Sequence, residues 1–155
     1  MKFIIRRATI NDLSCITDLF RSTIELINSR DYSNEQVTIW TSVGADADAW
    51  SKRIQEQYFI LGELSETIVG FASLAHDGYF DTLYVHKDYQ RQGVATQLVK
   101  AIEEKAKELK LKTIYSDVSI TAKPFFERHG YNIVTEQKRL FKGVEFLNYR
   151  MTKEL

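Results

Sequence analysis

The stretch Leu83-Tyr84-Val85-His86-Lys87-Asp88-Tyr89-Gln90-Arg91-Gln92-Gly93-Val94-Ala95-Thr96 has residue types and spacing suited to holding a phosphate. A buried-looking strand through Leu83 to Val85 runs into a polar loop. An amphipathic helix then opens at a glycine and a small residue. The first turn of a helix carries backbone N–H groups without intrahelical partners, and the helix dipole adds partial positive charge there, so it attracts an anion. Gly93 and Ala95 would let a phosphate approach the backbone closely, and Arg91 adds a charge beside it. Other phosphate cradles are absent, since none of the seven glycines stands in a GxxxxGKS/T or GxGxxG pattern. The same residues also suit a strand, a polar turn and a surface helix with no ligand.

The elements that must position this segment follow from periodicity. Phe3 to Ala8 reads as a first strand, and Asn11 or Asp12 can cap a helix whose apolar positions Leu13, Ile16, Leu19, Phe20, Ile24 and Ile27 keep helical spacing. Ser33 with Gln36 reads as a capping box for a shorter helix to about Trp40. Asp48 can cap another helix, which contains Trp50 and Ile54. Tyr58 to Leu64 and Thr67 to Ala75 form a hairpin about Ser65-Glu66, and Asp77-Gly78 turns the chain into a strand from Tyr79 to Val85. Val94, Leu98, Ile102, Ala106 and Leu109 share one face of a long helix from about Gln92. Lys112 to Val118 is then a strand and Thr121 to about His129 a helix stopped by Gly130. Tyr131 to Phe141 and Val144 to Met151 are strands joined at Lys142-Gly143. The single proline, Pro124, falls in the first turn of its helix, where it is tolerated. The chain has no internal repeat, low-complexity stretch or linker, so residues 1–155 read as one mixed α/β domain.

Composition limits the function classes. Lys plus Arg number 21 and Asp plus Glu number 21, a formal net charge of zero, which argues against a dedicated nucleic-acid binder and leaves room for a small basic pocket. The single cysteine, Cys15, excludes an intrachain disulfide and any CxxC metal site. Its place within the first helix reads as a packing position and not as a nucleophile. His76, His86 and His129 share no metal-ligand spacing, so no metal is expected. The start, Met1 to Arg7, offers a short apolar run before two arginines, too little for a signal-peptide core, and no apolar run approaches the roughly 20 residues of a membrane span. A soluble, cytoplasmic protein without membrane or nucleic-acid partners is the expectation.

Two motifs resemble a known family. Gln90-Arg91-Gln92-Gly93-Val94-Ala95 matches the Q/R-x-x-G-x-G/A signature of the GNAT N-acetyltransferase superfamily, with the preceding Leu-Tyr-Val strand and the following helix. Ala122-Lys123-Pro124-Phe125-Phe126-Glu127-Arg128-His129-Gly130-Tyr131 is similar to its second signature, A-x-x-F-Y/F-x-x-x-G-F/Y. Order and separation fit over nearly the whole chain, and Ser119 to Gly130 resembles a small bacterial, YafP-like branch. The resemblance implies a three-layer α/β fold. Its central, mixed but mostly antiparallel sheet has about six to seven strands, with the central strands splayed and helices on both faces.

The resemblance also implies roles for particular residues. Acetyl-CoA is the co-substrate. Gln92, Gly93, Val94, Ala95 and Thr96, flanked by Gln90 and Arg91, bind its pyrophosphate, while the main chain of Leu83, Tyr84 and Val85 binds the pantetheine arm as an added strand. The Val85 N–H would polarise the thioester carbonyl. Ser119, Lys123 and Phe126 lie along the coenzyme's path. An amine that attacks the thioester must lose a proton, and alternation would put Tyr79, Asp81, Leu83 and Val85 on one face, making Asp81 the base or amine anchor and Asp117 its rival. Phe126 stands where many members have a tyrosine acid, so Tyr79, Tyr115 or water must serve the leaving thiolate, or the thiolate leaves unprotonated. Tyr32, Trp40 and Trp50 fall in the segment that resembles the acceptor side. The acceptor would be a small-molecule or protein amine, and the protein a monomer or homodimer. A non-catalytic acyl-CoA-binding or sensing module is the competing expectation.

Overall fold

A computed structural model describes residues 3–155, so the Met1-Lys2 part of the N-terminal run lies outside the described residues. The chain runs β1 (Ile4–Arg7), α1 (Leu13–Leu26), α2 (Asn34–Ser42), α3 (Ala47–Glu56), β2 (Tyr58–Leu64), β3 (Thr67–Leu74), β4 (Phe80–Val85), α4 (Val94–Glu108), β5 (Thr113–Ser119), α5 (Lys123–Arg128), β6 (Asn132–Phe141) and β7 (Val144–Glu154). The expected order of elements is present. The differences lie at element ends, where β7 continues three residues past Met151 and α4 begins at Val94 rather than Gln92.

The strands form two antiparallel sheets, ordered β1-β2-β3-β4 and β5-β7-β6. They meet at a parallel bridge between Tyr79 and Tyr115, where the Tyr115 N–H donates to the Gly78 carbonyl at 3.1 Å. The buried Ser116 hydroxyl adds a bond to the Phe80 carbonyl at 2.7 Å. Beyond that link β4 and β5 are not paired. The expected splayed sheet is thus two sheets joined at one end and open at the other.

Two apolar clusters hold this shape. On one face of the first sheet, α1 and α3 bury Ile16, Leu19, Phe20, Ile24, Trp50 and Ile54 against Phe59, Leu61 and Phe71. On the other, α4 buries Val94, Leu98, Val99, Ile102 and Ala106 against residues of both sheets, including Val69, Ala72, Ile114 and Met151. At about 1.5–3 kcal/mol for each fully buried Val, Leu or Ile, this packing fixes α4 more firmly than its helix propensity does. Gly70 lets the helix come so close: a Cβ there would sit 2.9 Å from Val94 Cγ1 and 3.0 Å from the Tyr84 carbonyl oxygen. Among the described residues no helix is long and apolar enough to cross a membrane.

Cys15 is exposed on α1 and not packed in the core as expected, because it falls on the face of the helix turned away from the first sheet. The expected caps are also partly corrected. Ser33 and Gln36 form the capping box of α2. The cap of α3 is Asp46, not Asp48, and accepts the Ala49 N–H at 3.1 Å. Asp12 precedes α1 without capping it, because its carboxylate is taken by Arg6 at 2.9 and 3.0 Å and by the Thr9 N–H at 2.8 Å.

Candidate functional site

The opening between β4 and β5 is a cleft of about 980 Å³. Its geometry begins with the register of β4. The His86 N–H donates to the Val69 carbonyl at 2.8 Å, which makes Val69–His86 a hydrogen-bonded pair. With Gly70 opposite Val85, Phe71 opposite Tyr84 and Ala72 opposite Leu83, the bonded pairs alternate. Tyr84 therefore spends its N–H on β3, whereas Leu83 and Val85 turn theirs away from β3 and toward the cleft. The Val85 carbonyl is already taken by Thr23 Oγ1 at 3.0 Å and Gln90 Nε2 at 2.7 Å.

A bulge changes the expected face of Asp81. Ser73 pairs with Thr82 while Leu74 pairs with Phe80, so Asp81 is the extra residue on β4. Leu83 and Val85 pack toward α4, but Asp81 points the other way, where its Oδ2 accepts from Arg53 Nε at 3.0 Å and Gln57 Nε2 at 2.8 Å. The shared face expected for Asp81, Leu83 and Val85 is thus wrong, because the inserted residue resets the two-residue alternation. Asp81 still lines the cleft, and Oδ1 receives neither of these bonds.

At the far end of β4 the loop turns through Arg91 (φ 62°) and Gly93 (φ 86°) into α4. Gly93 is the N-cap residue, and a Cβ there would meet no atom within 4 Å, so the backbone faces open space. The first helical bond is made by the Gln97 N–H to the Gly93 carbonyl at 3.2 Å, which leaves the N–H groups of the first turn without intrahelical partners. Arg91, Gly93, Val94, Ala95 and Thr96 line this end, together with Arg128 and His129 of the neighbouring helix. His129 Nε2 lies 3.3 Å from Thr96 Oγ1.

The other end is walled by side chains. Tyr32 stacks edge-on against Trp40 at 5.1 Å and lies 6.4 Å from Phe146. Its hydroxyl accepts the Ile120 N–H at 2.9 Å and donates to the Leu147 carbonyl at 3.0 Å, pinning α2's approach to β5 and β7. Asp117 receives Arg150 at 2.7 and 3.2 Å, Gln137 at 2.9 Å and the Tyr79 hydroxyl at 3.3 Å. Burial pushes the Asp117 carboxyl up, but the Arg150 and Gln137 hydrogen bonds and the charges of Arg150 and Arg139 outweigh it and leave it below the usual carboxylate range. Burial first, then the charges of Asp117 and Asp81, push the Tyr79 phenol well above its ordinary value.

The remaining sequence-predicted residues divide clearly. Phe126 is buried and forms part of the cleft wall, packed edge-on against Phe80 at 5.6 Å and Tyr131 at 5.0 Å. Ser119 lines the cleft while its hydroxyl accepts the Ala122 N–H at 3.1 Å. Lys123 is not part of the lining. It pairs with Glu127 at 3.3 Å and lies over the Tyr149 ring, since its helix turns that side outward. Gln92 also points away, toward the Asp88 carbonyl. Trp50 is 1% exposed in the α1–α3 cluster with its Nε1–H on the Val43 carbonyl, so it is a core residue and not an acceptor contact. Arg139, Phe141, Phe146 and Asn148 line the cleft without having been foreseen. The period of two along the last hairpin was their signal, for Arg139 pairs with Phe146 and Gln137 with Asn148 on one face.

A family model described as an acetyltransferase (GNAT) domain matches residues 28–153. The chain is 31% identical over 147 residues to the uncharacterized N-acetyltransferase YafP of Escherichia coli (strain K12), covering 95% of this chain and 93% of that protein. A crystal structure of a GCN5-related N-acetyltransferase from Rhodopseudomonas palustris matches with a TM-score of 0.96 at 31% identity, over 100% of this chain and 97% of that one. The PaiA N-acetyltransferase of Thermoplasma acidophilum, solved in complex with coenzyme A, matches with a TM-score of 0.82 over 100% of both chains. At 18% identity that likeness is one of fold.

Proposed function

The chain belongs to the GNAT acetyltransferase family, in the branch that includes YafP, and from that premise we propose that it transfers an acetyl group from acetyl-CoA to a primary amine by direct attack. One observation carries the reading: the Leu83 and Val85 N–H groups open into a cleft that ends at the unpartnered first turn of α4. That arrangement suits an extended, amide-bearing arm with a pyrophosphate at one end. The open space over Gly93 leaves room for the phosphates, and the coenzyme A-bound PaiA structure shares the fold.

Bound acetyl-CoA supplies the acyl group as a thioester. The Leu83 and Val85 N–H groups hold the arm as a neighbouring strand would, and the Val85 N–H polarises the thioester carbonyl. First-turn N–H groups of α4, with Arg91, hold the pyrophosphate. Asp81 Oδ1 takes the proton of the acceptor ammonium, so the nitrogen lone pair can bond to the acyl carbon as the carbon–sulfur bond breaks. The sulfur leaves with that bond's electron pair. A phenol raised above its ordinary pKa of about 10 does not give its proton to a thiolate of pKa about 8.5. Tyr79 therefore stays a neutral hydrogen-bond donor, and the second proton that the nitrogen loses as the amide forms passes through water to the departing thiolate. Arg53 and Gln57 orient Asp81, and Phe126 contributes wall without chemistry.

Calorimetric titration with acetyl-CoA, with ATP as control, tests the binding half. One-site micromolar binding absent for ATP is expected, and no binding up to millimolar acetyl-CoA would refute the proposal. Asp81→Asn should lower turnover by about 10²- to 10³-fold while coenzyme affinity stays unchanged. Unaltered turnover would remove Asp81 as the base.

A further inference from the structure

We infer that the acceptor is a small amine bearing both a carboxylate and an apolar side group, with Arg139 receiving the carboxylate; this rests on the acetyltransferase reading above. The acceptor end of the cleft carries more guanidinium groups than carboxylates to answer them. Asp81 is answered by Arg53 at 3.0 Å and Asp117 by Arg150 at 2.7 Å. Arg139 must share Asp117, at 3.7 Å, with its Nη2 donating to Gln137 Oε1 at 2.8 Å. Two guanidinium groups therefore face one carboxylate, and the Arg139 side chain remains 52% exposed on the cleft wall.

The surroundings add positive charge and remove the obvious counter-ions. Arg30 is exposed on the same wall, while the adjacent Asp31 accepts from Thr121 Oγ1 at 2.8 Å. Glu145 pairs with Leu140 across the last hairpin, on the face opposite to Arg139 and Phe146. An amine with no anion of its own would bring a second cation to this end. A zwitterion has both charges answered, its ammonium by Asp81 Oδ1 and its carboxylate by the planar fork of Arg139. Trp40, Tyr32 and Phe146 form the adjoining aromatic wall, which suits an apolar side group.

The test compares leucine and phenylalanine with leucinamide, phenylalaninamide and phenethylamine, following acetyl transfer by release of free thiol. The acids should exceed the amides and the plain amine in kcat/KM by about 10- to 100-fold, the worth of one charge-assisted hydrogen bond, with the difference in KM. Arg139→Gln should erase that preference by raising KM for the acids alone, and Arg139→Lys should restore part of it. Equal or better use of the uncharged-end amines would overturn the inference, as would a carboxylate preference that survives Arg139→Gln. Where turnover is slow, the same series titrated into the coenzyme A complex reads affinity directly, and failure of the acids to bind more tightly than the amides overturns it equally. Micromolar acetyl-CoA binding without carboxylate preference would sink only this inference, whereas absence of acetyl-CoA binding would sink the premise.

Discussion

The two ends of the cleft are built from different materials. The end at Gly93 is mostly backbone: N–H groups of β4 and of the first turn of α4, presented by a strand, a left-handed residue and a helix start that are consecutive in the chain. The end at Asp117 is mostly side chains from Tyr32, α2, β4, β5, β6 and β7, brought together from far along the chain; the Tyr32–Leu147 bond, for example, spans 115 positions. A backbone site tolerates many side chains but not the wrong conformation. A side-chain site keeps its scaffold while individual residues change what it accepts. The contrast predicts that single substitutions at the first end act on coenzyme affinity, and at the second on acceptor choice.

The largest effect is expected from Gly93→Glu. A φ of 86° is strained for any side chain, and the new carboxylate would stand in open space beside the unpartnered N–H groups that would receive the pyrophosphate. Acetyl-CoA affinity measured by calorimetry should fall about a thousandfold, near 4 kcal/mol. Gly93→Ala carries the strain without the charge and should lose far less. An unchanged affinity in the glutamate variant would break the comparison, because the backbone end would then lie elsewhere.

A smaller effect separates two tryptophans that the sequence presents alike. Trp50→Phe removes the Nε1–H bond to Val43 and part of a buried ring, and should lower stability to urea by about 1–2 kcal/mol without changing acceptor KM. Trp40→Ala opens the acceptor wall and should raise acceptor KM about tenfold, the worth of an aromatic contact, with coenzyme affinity unaltered. The reverse pattern would mean that the acceptor reaches the α1–α3 cluster.

What the sequence made legible follows the same division. The strand, loop and helix start around Val85 to Ala95 were readable because a backbone site needs only a glycine, a small residue and a helix boundary, all local properties. The Ser65-Glu66 hairpin turn was equally local, and both residues adopt positive φ as a two-residue hairpin turn demands. Asp81 was found but set on the wrong face, since a bulge is decided by the partner strand's register and leaves no mark in β4 alone. Trp40 and Trp50 lie in neighbouring short helices of similar composition, and tertiary packing alone buries one and exposes the other to the cleft. Arg139 was missed although Arg139, Phe141, Phe146, Asn148 and Arg150 keep a strict alternation through the last hairpin. That pattern shows a common face but not that the face closes the cleft.

The smallest expected effect concerns two carboxylates held below their usual range, one in the scaffold and one at the acceptor end. Arg6 hydrogen bonds lower the Asp12 carboxyl against the opposing push of burial, and the Thr9 N–H helps. For Asp117, burial is the larger single influence and is overcome only by Arg150, Gln137 and the neighbouring charges together. In both cases the folded protein releases its proton at lower pH than the unfolded chain, whose aspartates titrate near pH 3.9, so the unfolded state binds more protons in that window. The stability each supplies is therefore complete above about pH 5 and drains away as pH falls through and below about 4. Asp12→Asn should cost about 1 kcal/mol near neutral pH and flatten the acid limb of a urea-stability profile, with acceptor KM unchanged. Asp117→Asn should flatten the same limb and also change acceptor KM, because it frees Arg150, Arg139 and the Tyr79 hydroxyl together. If both variants moved only stability, the Asp117 network would be scaffold, and the acceptor end would have to be sought among Trp40, Tyr32 and Asp81 alone.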